Sequence, residues 1–362
     1  MPYKVRAAIA FGPNRPLEIR EVDMADPGPG QVAIRMLASG LCHTDVHIIE
    51  DKLQQRFPAI LGHEGVGEIV AVGPGVTGFA VGDRVLPFSV PHCGECVLCT
   101  SGKTSLCVRF SQRTNSETTP FSLDGKPVYY FMELGTFAEM SVVAADCLVR
   151  VPSEARPDHV CCIACGITTG MGSALLKAKV DKGATVVVIG AGGVGLGAIQ
   201  GARIAGASRI IAVDTNPGKE EVARSSGATD FIDPSSTDLV AKIVELTQGG
   251  ADYAFDCVGL PRLSEQALEM VHPAWGEAVC VGMAPQGSTV TTTALNLMVG
   301  RTWTGCLMGG ATVNDVQDFV AMYMSGELRL DEVVTDRLSL DQINEGIRMI
   351  QTGQTVRSVV VY

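Results

Sequence analysis

The stretch from Thr185 to Met283 constrains the fold most, because strand-like and helix-like runs alternate along it at close intervals. TVVVIG reads as a buried strand, GVGLGAIQGARIAG as a helix and RIIAVD as a second strand. KEEVARSSG, DFID, STDLVAKIVELTQ, YAFDCVG, RLSEQALEMV and EAVCVGM continue the alternation. Parallel neighbours need crossover helices, so the pattern predicts a doubly wound parallel sheet. Its first strand-to-helix turn carries Gly190-Ala-Gly192-Gly193-Val194-Gly195. In such a turn the first glycine permits the tight bend. The second admits a pyrophosphate to the backbone, and the third packs helix on strand. Asp214 closes the next strand, 19 residues after Gly195. A carboxylate there accepts ribose hydroxyls and repels a 2′-phosphate, so NAD is expected over NADP.

The rest of the chain reads differently. KVRAAIAFG, LEIREVDM and QVAIRMLASG are strand-like and separated by turns such as ADPGPG, and EIVAVG and DRVLPF continue the series. Residues 1 to about 150 are therefore expected to form an irregular, mostly antiparallel β domain. The passage PDHVCCIACGITTGMGSALLKAKV is helical in spacing, with Pro157 and Asp158 suited to a helix start. Beyond residue 300 two helices (VNDVQDFVAMYMSG, LDQINEGIRMIQTG) and a strand (VRSVVVY) are expected to return to the first domain. The organisation expected is thus a first domain over 1–166, a dinucleotide domain over 167–306 and a return over 307–362.

A formal net charge of −11, with no basic stretch to offset it, argues against a nucleic-acid partner. No apolar run approaches a membrane span and the N-terminus lacks a signal-peptide core, so a cytoplasmic protein with no membrane partner is expected.

The twelve cysteines are clustered rather than spread as in a disulfide scaffold. Cys93, Cys96, Cys99 and Cys107 fall within a lobe at 93–107. Two-residue spacings let successive thiolates face one centre, and four thiolates make a closed structural zinc site. An iron–sulfur cluster or a redox dithiol are the rivals. Cys42 and His63, with Glu64 beside the histidine, offer two donors for a second, catalytic metal, and both are expected on turns. From spacing alone the third donor is open among Cys161, Cys162 and Cys165.

GLCHTDVH, GHEGVGEIVAVGPGV, GDRV, CGECVLCTSGKTSLC, CGITTG, GAGGVG and RSVVVY together resemble the zinc-dependent medium-chain alcohol dehydrogenases over nearly the whole chain. That resemblance implies an α/β two-domain fold, with a GroES-like irregular β catalytic domain and a Rossmann NAD domain. It picks Cys165 as the third ligand, because Cys165 leads CGITTG, and leaves Cys161 and Cys162 in the core. By the same resemblance Asp45 orients the histidine ligand, and Glu64 is an acid near the metal. Thr44 and His47 are placed like a proton relay that runs through the NAD ribose. His43 and Arg357 match positions that contact the cofactor pyrophosphate. Thr169, Gly193, Val194, Lys219, Val281 and Met283 join the cofactor site, and Leu53, Ser89, Phe131 and Met132 line the substrate pocket.

The implied activity is reversible hydride transfer between a primary alcohol and NAD. Ser89 stands where many members carry an aromatic ring, which suggests bulky or aromatic substrates. A thiol-adduct (S-hydroxymethyl) formaldehyde dehydrogenase is an alternative, although Leu53 and Ser111 look wrong for reading glutathione. Glu50, Asp51 and Arg113 are the charges nearby. A nicotinoprotein with tightly held NAD and a non-catalytic NAD- and zinc-binding protein are the other rivals. GRTWTGCLMGG resembles the strand through which members pair, so a homodimer or homotetramer is expected.

Overall fold

Residues 7–10 and 32–34 are buried at consecutive positions, so the strands that carry them are covered on both faces over part of their length. The computed structural model of the chain describes residues 3–114 and 116–362. It divides into two compact units. Unit 1 comprises Met1–Cys165, Thr312–Gly326 and Val334–Tyr362; unit 2 comprises Gly166–Ala311 and Glu327–Val333. The first stretch of unit 1 ends at Cys165, and unit 2 opens at Gly166. The single return expected from 307 is instead interrupted, because residues 327–333 belong to unit 2. Gln200 accounts for this: wholly buried, it donates to the Arg329 carbonyl and accepts from the Arg329 N–H, both at 2.8 Å.

In unit 1 the chain first lays down β1 (Tyr3–Ala10), β2 (Glu18–Met24), β3 (Gln31–Gly40), α1 (His43–Ile49), β4 (Ala59–Ile60), β5 (Glu64–Val72) and β6 (Arg84–Pro87). Two short helices follow, α2 (Val97–Thr100) and α3 (Val108–Thr114), then β7 (Phe121–Leu123), β8 (Lys126–Tyr130), β9 (Met140–Ala144), β10 (Leu148–Arg150) and α4 (Pro157–Val160). Strands β1, β2, β7, β8 and β4 close into a barrel. A second sheet runs β10-β6-β5-β3 and pairs β9 with β3. Apart from β4 with β8, these pairs are antiparallel, as expected. Leu41, Val46, Ile60, Phe131 and Phe137 sit in the barrel-side core.

Unit 2 contains α5 (Gly166–Gly172), β11 (Thr185–Ile189), α6 (Gly193–Ala205), β12 (Arg209–Val213), α7 (Glu220–Ser226), β13 (Asp230–Ile232), α8 (Leu239–Leu246) and β14 (Tyr253–Asp256). It continues with α9 (Pro261–Met270), β15 (Glu277–Cys280), α10 (Ala294–Met298) and β16 (Thr302–Gly305). The six strands are all parallel, in the order β13-β12-β11-β14-β15-β16. Relative to β11 that is the 3-2-1-4-5-6 order of a dinucleotide fold. Val186, Val187 and Val188 are wholly buried, as a sheet covered on both faces requires. The chain then gives unit 1 α11 (Val313–Met324), β17 (Asp336–Leu338), α12 (Ile343–Gln351) and β18 (Ser358–Val361), with β18 pairing antiparallel to β3. Among the described residues no single helix is long and apolar enough to cross a membrane.

Two local features go beyond the sequence pattern. The run 43–49 is a helix: Asp45 at its third position accepts from the Cys42 N–H at 3.2 Å and caps it. The run 157–177 is not one helix. After α4 a 3₁₀ turn spans Cys161–Ala164, and Cys165 breaks the path at φ −144°, ψ −81°. Glycines at 166, 170 and 172 weaken helix propensity there.

Candidate metal centres and dinucleotide site

The lobe at 93–107 brings its four sulfurs within 4.8 Å of one another. Cys93 and Cys99 Sγ are 3.9 Å apart, and Cys96 and Cys107 Sγ 4.0 Å. Four thiolates at about 2.3 Å around a tetrahedral zinc lie about 3.8 Å from each other, so the lobe has the dimensions of that site. The donor chemistry agrees. N–H groups of Val108 and Cys99 draw the Cys96 thiol down to about 6, while burial pushes Cys99 up to about 12. All four ionise together only around a cation. With no position left for substrate, this is a structural zinc site.

The second cluster is Cys42, His63, Glu64 and Cys165, all buried, with their donor atoms within 4.8 Å of one another. Cys42 ends the turn after β3, His63 and Glu64 stand at the start of β5, and Cys165 is the break after α4. Cys165, not Cys161 or Cys162, is thus the thiol that joins Cys42 and His63. The His63 Nδ1 lies 3.4 Å from Asp45 Oδ1, and Nε2 is buried without a partner. A buried imidazole nitrogen with no hydrogen bond is costly unless a metal takes it. Burial works against the His63 imidazolium, yet Asp45 and Cys42 hold its pKa well above the usual range. Cys42 is pulled well down by the Cys165 thiol and by His63, and Cys165 is correspondingly pushed up. Such a donor set fits a catalytic zinc. Asp45 is wholly buried and also accepts from the Gly62 N–H at 3.0 Å, so three contacts fix it.

Glu64 is wholly buried, not a surface acid. Its Oε1 accepts from Arg357 Nη2 at 2.7 Å, while Oε2 has no partner. Burial pushes its carboxyl well up, and the Arg357 guanidinium opposes this. Arg357, expected at the pyrophosphate, is only 7% exposed and also donates to the Leu41 carbonyl at 2.8 Å. Two of its nitrogens are therefore committed inside unit 1 and not turned outward. No local pattern marks this pair, which is separated by 293 positions.

On α1, Thr44 Oγ1 lies 3.5 Å from Cys42 Sγ, and His47 sits one turn further on. The His43 and His47 rings are 6.4 Å apart. His47 Nδ1 has no hydrogen-bond partner, and burial, then Lys52, lowers its pKa. Phe131 meets the His63 ring edge-on at 5.4 Å. Ser89 is buried and its hydroxyl has no partner. Leu53 and Met132 are partly buried and pack on the same apolar core as Phe131.

In unit 2, Gly190 has φ +93°, where a side chain is strained, and a Cβ on Gly195 would run into the Gly190 carbonyl. Gly192 caps α6, whose first residues are Gly193 and Val194, and a helix N-terminus of this kind is suited to receive an anion. Asp214 accepts from the Ala191 N–H at 2.8 Å and from Lys219 Nζ at 3.1 Å. Thr169 lies on α5, while Val281 and Met283 follow β15.

Residues 28–153 match the family model described as the alcohol dehydrogenase GroES-like domain, and residues 193–324 that described as zinc-binding dehydrogenase. The S-(hydroxymethyl)glutathione dehydrogenase of Photobacterium damsela subsp. piscicida is 42% identical over 368 residues, covering 99% of this chain and 100% of that protein. The protein of the same name from Escherichia coli O1:K1 / APEC shows the same identity and coverage. Among solved structures, an alcohol dehydrogenase zinc-binding domain protein from Burkholderia ambifaria has TM-score 0.94 at 31% identity, covering 100% of this chain and 99% of that one. Benzyl alcohol dehydrogenase from Acinetobacter calcoaceticus has TM-score 0.92 at 30% identity, covering 99% of both. Likeness of this degree, running end to end through both units, makes the chain a member of the zinc-dependent medium-chain alcohol dehydrogenase family of oxidoreductases.

Proposed function

We propose that this chain oxidises a primary hydroxymethyl group with NAD as hydride acceptor, and that its substrate is the S-(hydroxymethyl) adduct of a small thiol. The observation that carries the reaction class is the buried Cys42–His63–Cys165 cluster with Glu64 beside it. Two thiolates and an imidazole would hold a zinc, and this is the donor set already known for alcohol dehydrogenases. When bound, zinc supplies Lewis acidity to the substrate hydroxyl, and NAD supplies the hydride acceptor. Asp45 keeps the His63 ring oriented. Thr44, beside Cys42, is positioned to accept the substrate proton, and His47, neutral because its pKa is lowered, to carry it toward solvent. Asp214 selects NAD by its charge.

The thiol-adduct substrate rests on the relatives at 42% identity. A second reading, an aromatic primary alcohol, is favoured by a specific observation. Arg113, the cation near the pocket stretch, is only 10% exposed and paired with Asp146 and Glu133. It is not available to read a carrier's carboxylates, while Leu53 and Phe131 offer apolar contacts. The 30% identical benzyl alcohol dehydrogenase points the same way. Initial rates with glutathione plus formaldehyde, benzyl alcohol and ethanol, each with NAD or NADP, separate these. A kcat/KM highest for the glutathione adduct is expected. Preference for benzyl alcohol selects the second reading, and no turnover of any alcohol refutes both. The protein is also proposed to pair through the edge strand β16, which light scattering tests.

A further inference from the structure

Met132 and Glu133 both adopt φ 56°, two consecutive non-glycine residues in the left-handed region. Each costs of order 1 kcal/mol and persists only where its surroundings fix it. The turn they form follows Phe131, whose ring abuts His63. Its closing bonds run from the Leu134 and Gly135 N–H groups to the Phe131 carbonyl, at 2.9 and 3.3 Å. Its side-chain anchor is Arg113: Nε is 3.7 Å from Glu133 Oε2, and Nη2 is 2.5 Å from Asp146 Oδ1. Arg113 lies on α3, which starts directly after the ligand Cys107. From the first turn of that helix Arg109 reaches Asp146 at 3.1 Å and Glu95, inside the cysteine lobe, at 3.3 Å. A continuous path thus joins the four-cysteine lobe, α3, Arg113, Glu133, Phe131 and the catalytic ligand His63, all within unit 1.

We propose that Arg113 is a positioning residue for the substrate side of the catalytic metal, and that it makes the shape of that side depend on the four-cysteine lobe. It does so by fixing the left-handed Met132–Glu133 turn through Glu133. The guanidinium fits this task because it is planar, always charged and shared between two carboxylates. The lobe is then more than a staple for its own loop: it sets where α3 begins and so where Arg113 stands. This inference rests on the reading above that Phe131 and Met132 contact substrate.

Hydrogen exchange of the zinc-loaded protein tests it without substrate. In Arg113→Gln and in Glu133→Gln the amides of Leu134 and Gly135 are expected to exchange faster, while β3 and β5 keep their protection. Cys99→Ser, which removes one lobe thiol, is expected to give the same local change. In kinetics, Arg113→Gln raises KM about tenfold for the preferred bulky substrate with kcat within about twofold, and Arg113→Lys recovers part of the loss. Unchanged exchange at the turn in both variants overturns the proposal, as does exchange that rises throughout the barrel. Because exchange needs no substrate, a failed substrate panel leaves this outcome readable. Should Arg113→Gln not fold, Glu133→Gln, which leaves the Arg113–Asp146 pair intact, decides alone.

Discussion

The Arg357 guanidinium and the Glu64 carboxylate form a buried ion pair at 2.7 Å, at the edge of the catalytic metal cluster. Arg357 comes from the loop that enters β18, and Glu64 opens β5 next to His63. Glu64 also lies across from Gly40 in the β3–β5 register, so the last strand of the chain and the two strands that carry the metal donors meet at one carboxylate. A buried charge pair is costly to break because the survivor is left uncompensated in low dielectric.

Arg357→Leu removes that partner and the donor to the Leu41 carbonyl. Loss of about 3–5 kcal/mol is expected from breaking a pair this deeply buried. Urea unfolding of the zinc-loaded protein reads it, and a loss under about 1 kcal/mol, as for a surface pair, contradicts the assignment.

Gly40→Ala tests the other side of Glu64. A Cβ at Gly40 would run into the Glu64 carboxylate, with Glu64 Cβ at 3.2 Å. Overpacking of this kind costs about 1–3 kcal/mol, and here it displaces a group within the metal cluster. Weaker retention of the catalytic zinc is expected, with recovery in Gly40→Ala/Glu64→Asp, whose shorter acid vacates the space. Equal zinc content in all three proteins by metal analysis contradicts it.

Much of this was legible from the chain. Five of the six parallel strands appear in the alternation, and central ones such as TVVVI and RIIAV stand out because strands covered on both faces are apolar, whereas the edge strand TWTG carries no such run. The four-cysteine lobe is legible because its ligands are local in sequence. Helix α1 was not, because its start depends on Asp45 capping the Cys42 amide, and Asp45 looks from the sequence only like a partner for His63. Cys165 could not be separated from Cys161 and Cys162 by spacing, since the decisive feature is a backbone break. The Glu64–Arg357 and Arg113–Glu133 pairs left no pattern either, because tertiary pairing carries no periodicity.

Asp45→Asn removes the charge facing His63 and keeps an acceptor for only one of the Cys42 and Gly62 amides, which donate to different oxygens of the carboxylate. Weakening an outer partner of a histidine ligand lowers metal affinity by about 10–100-fold. The expected outcome is selective loss of one zinc under chelator competition, with the four-cysteine site retained. Loss of both metals at one chelator concentration, or of neither relative to wild type, runs against it.

His47 supplies the pH-dependent test. Burial, then Lys52, lowers its pKa, so the ring stays neutral to lower pH than an ordinary imidazole. The neutral ring is the proton acceptor, so the rate of alcohol oxidation is sustained as pH falls until the ring charges, and declines beneath that point. His47→Gln removes the acceptor: the rate is expected to fall most at acidic pH and to recover in part with added imidazole. Lys52→Gln removes a charge that disfavours the imidazolium, so it should move the acid limb to higher pH while leaving the plateau in place. Superimposable pH profiles for wild type and His47→Gln would take His47 out of proton transfer.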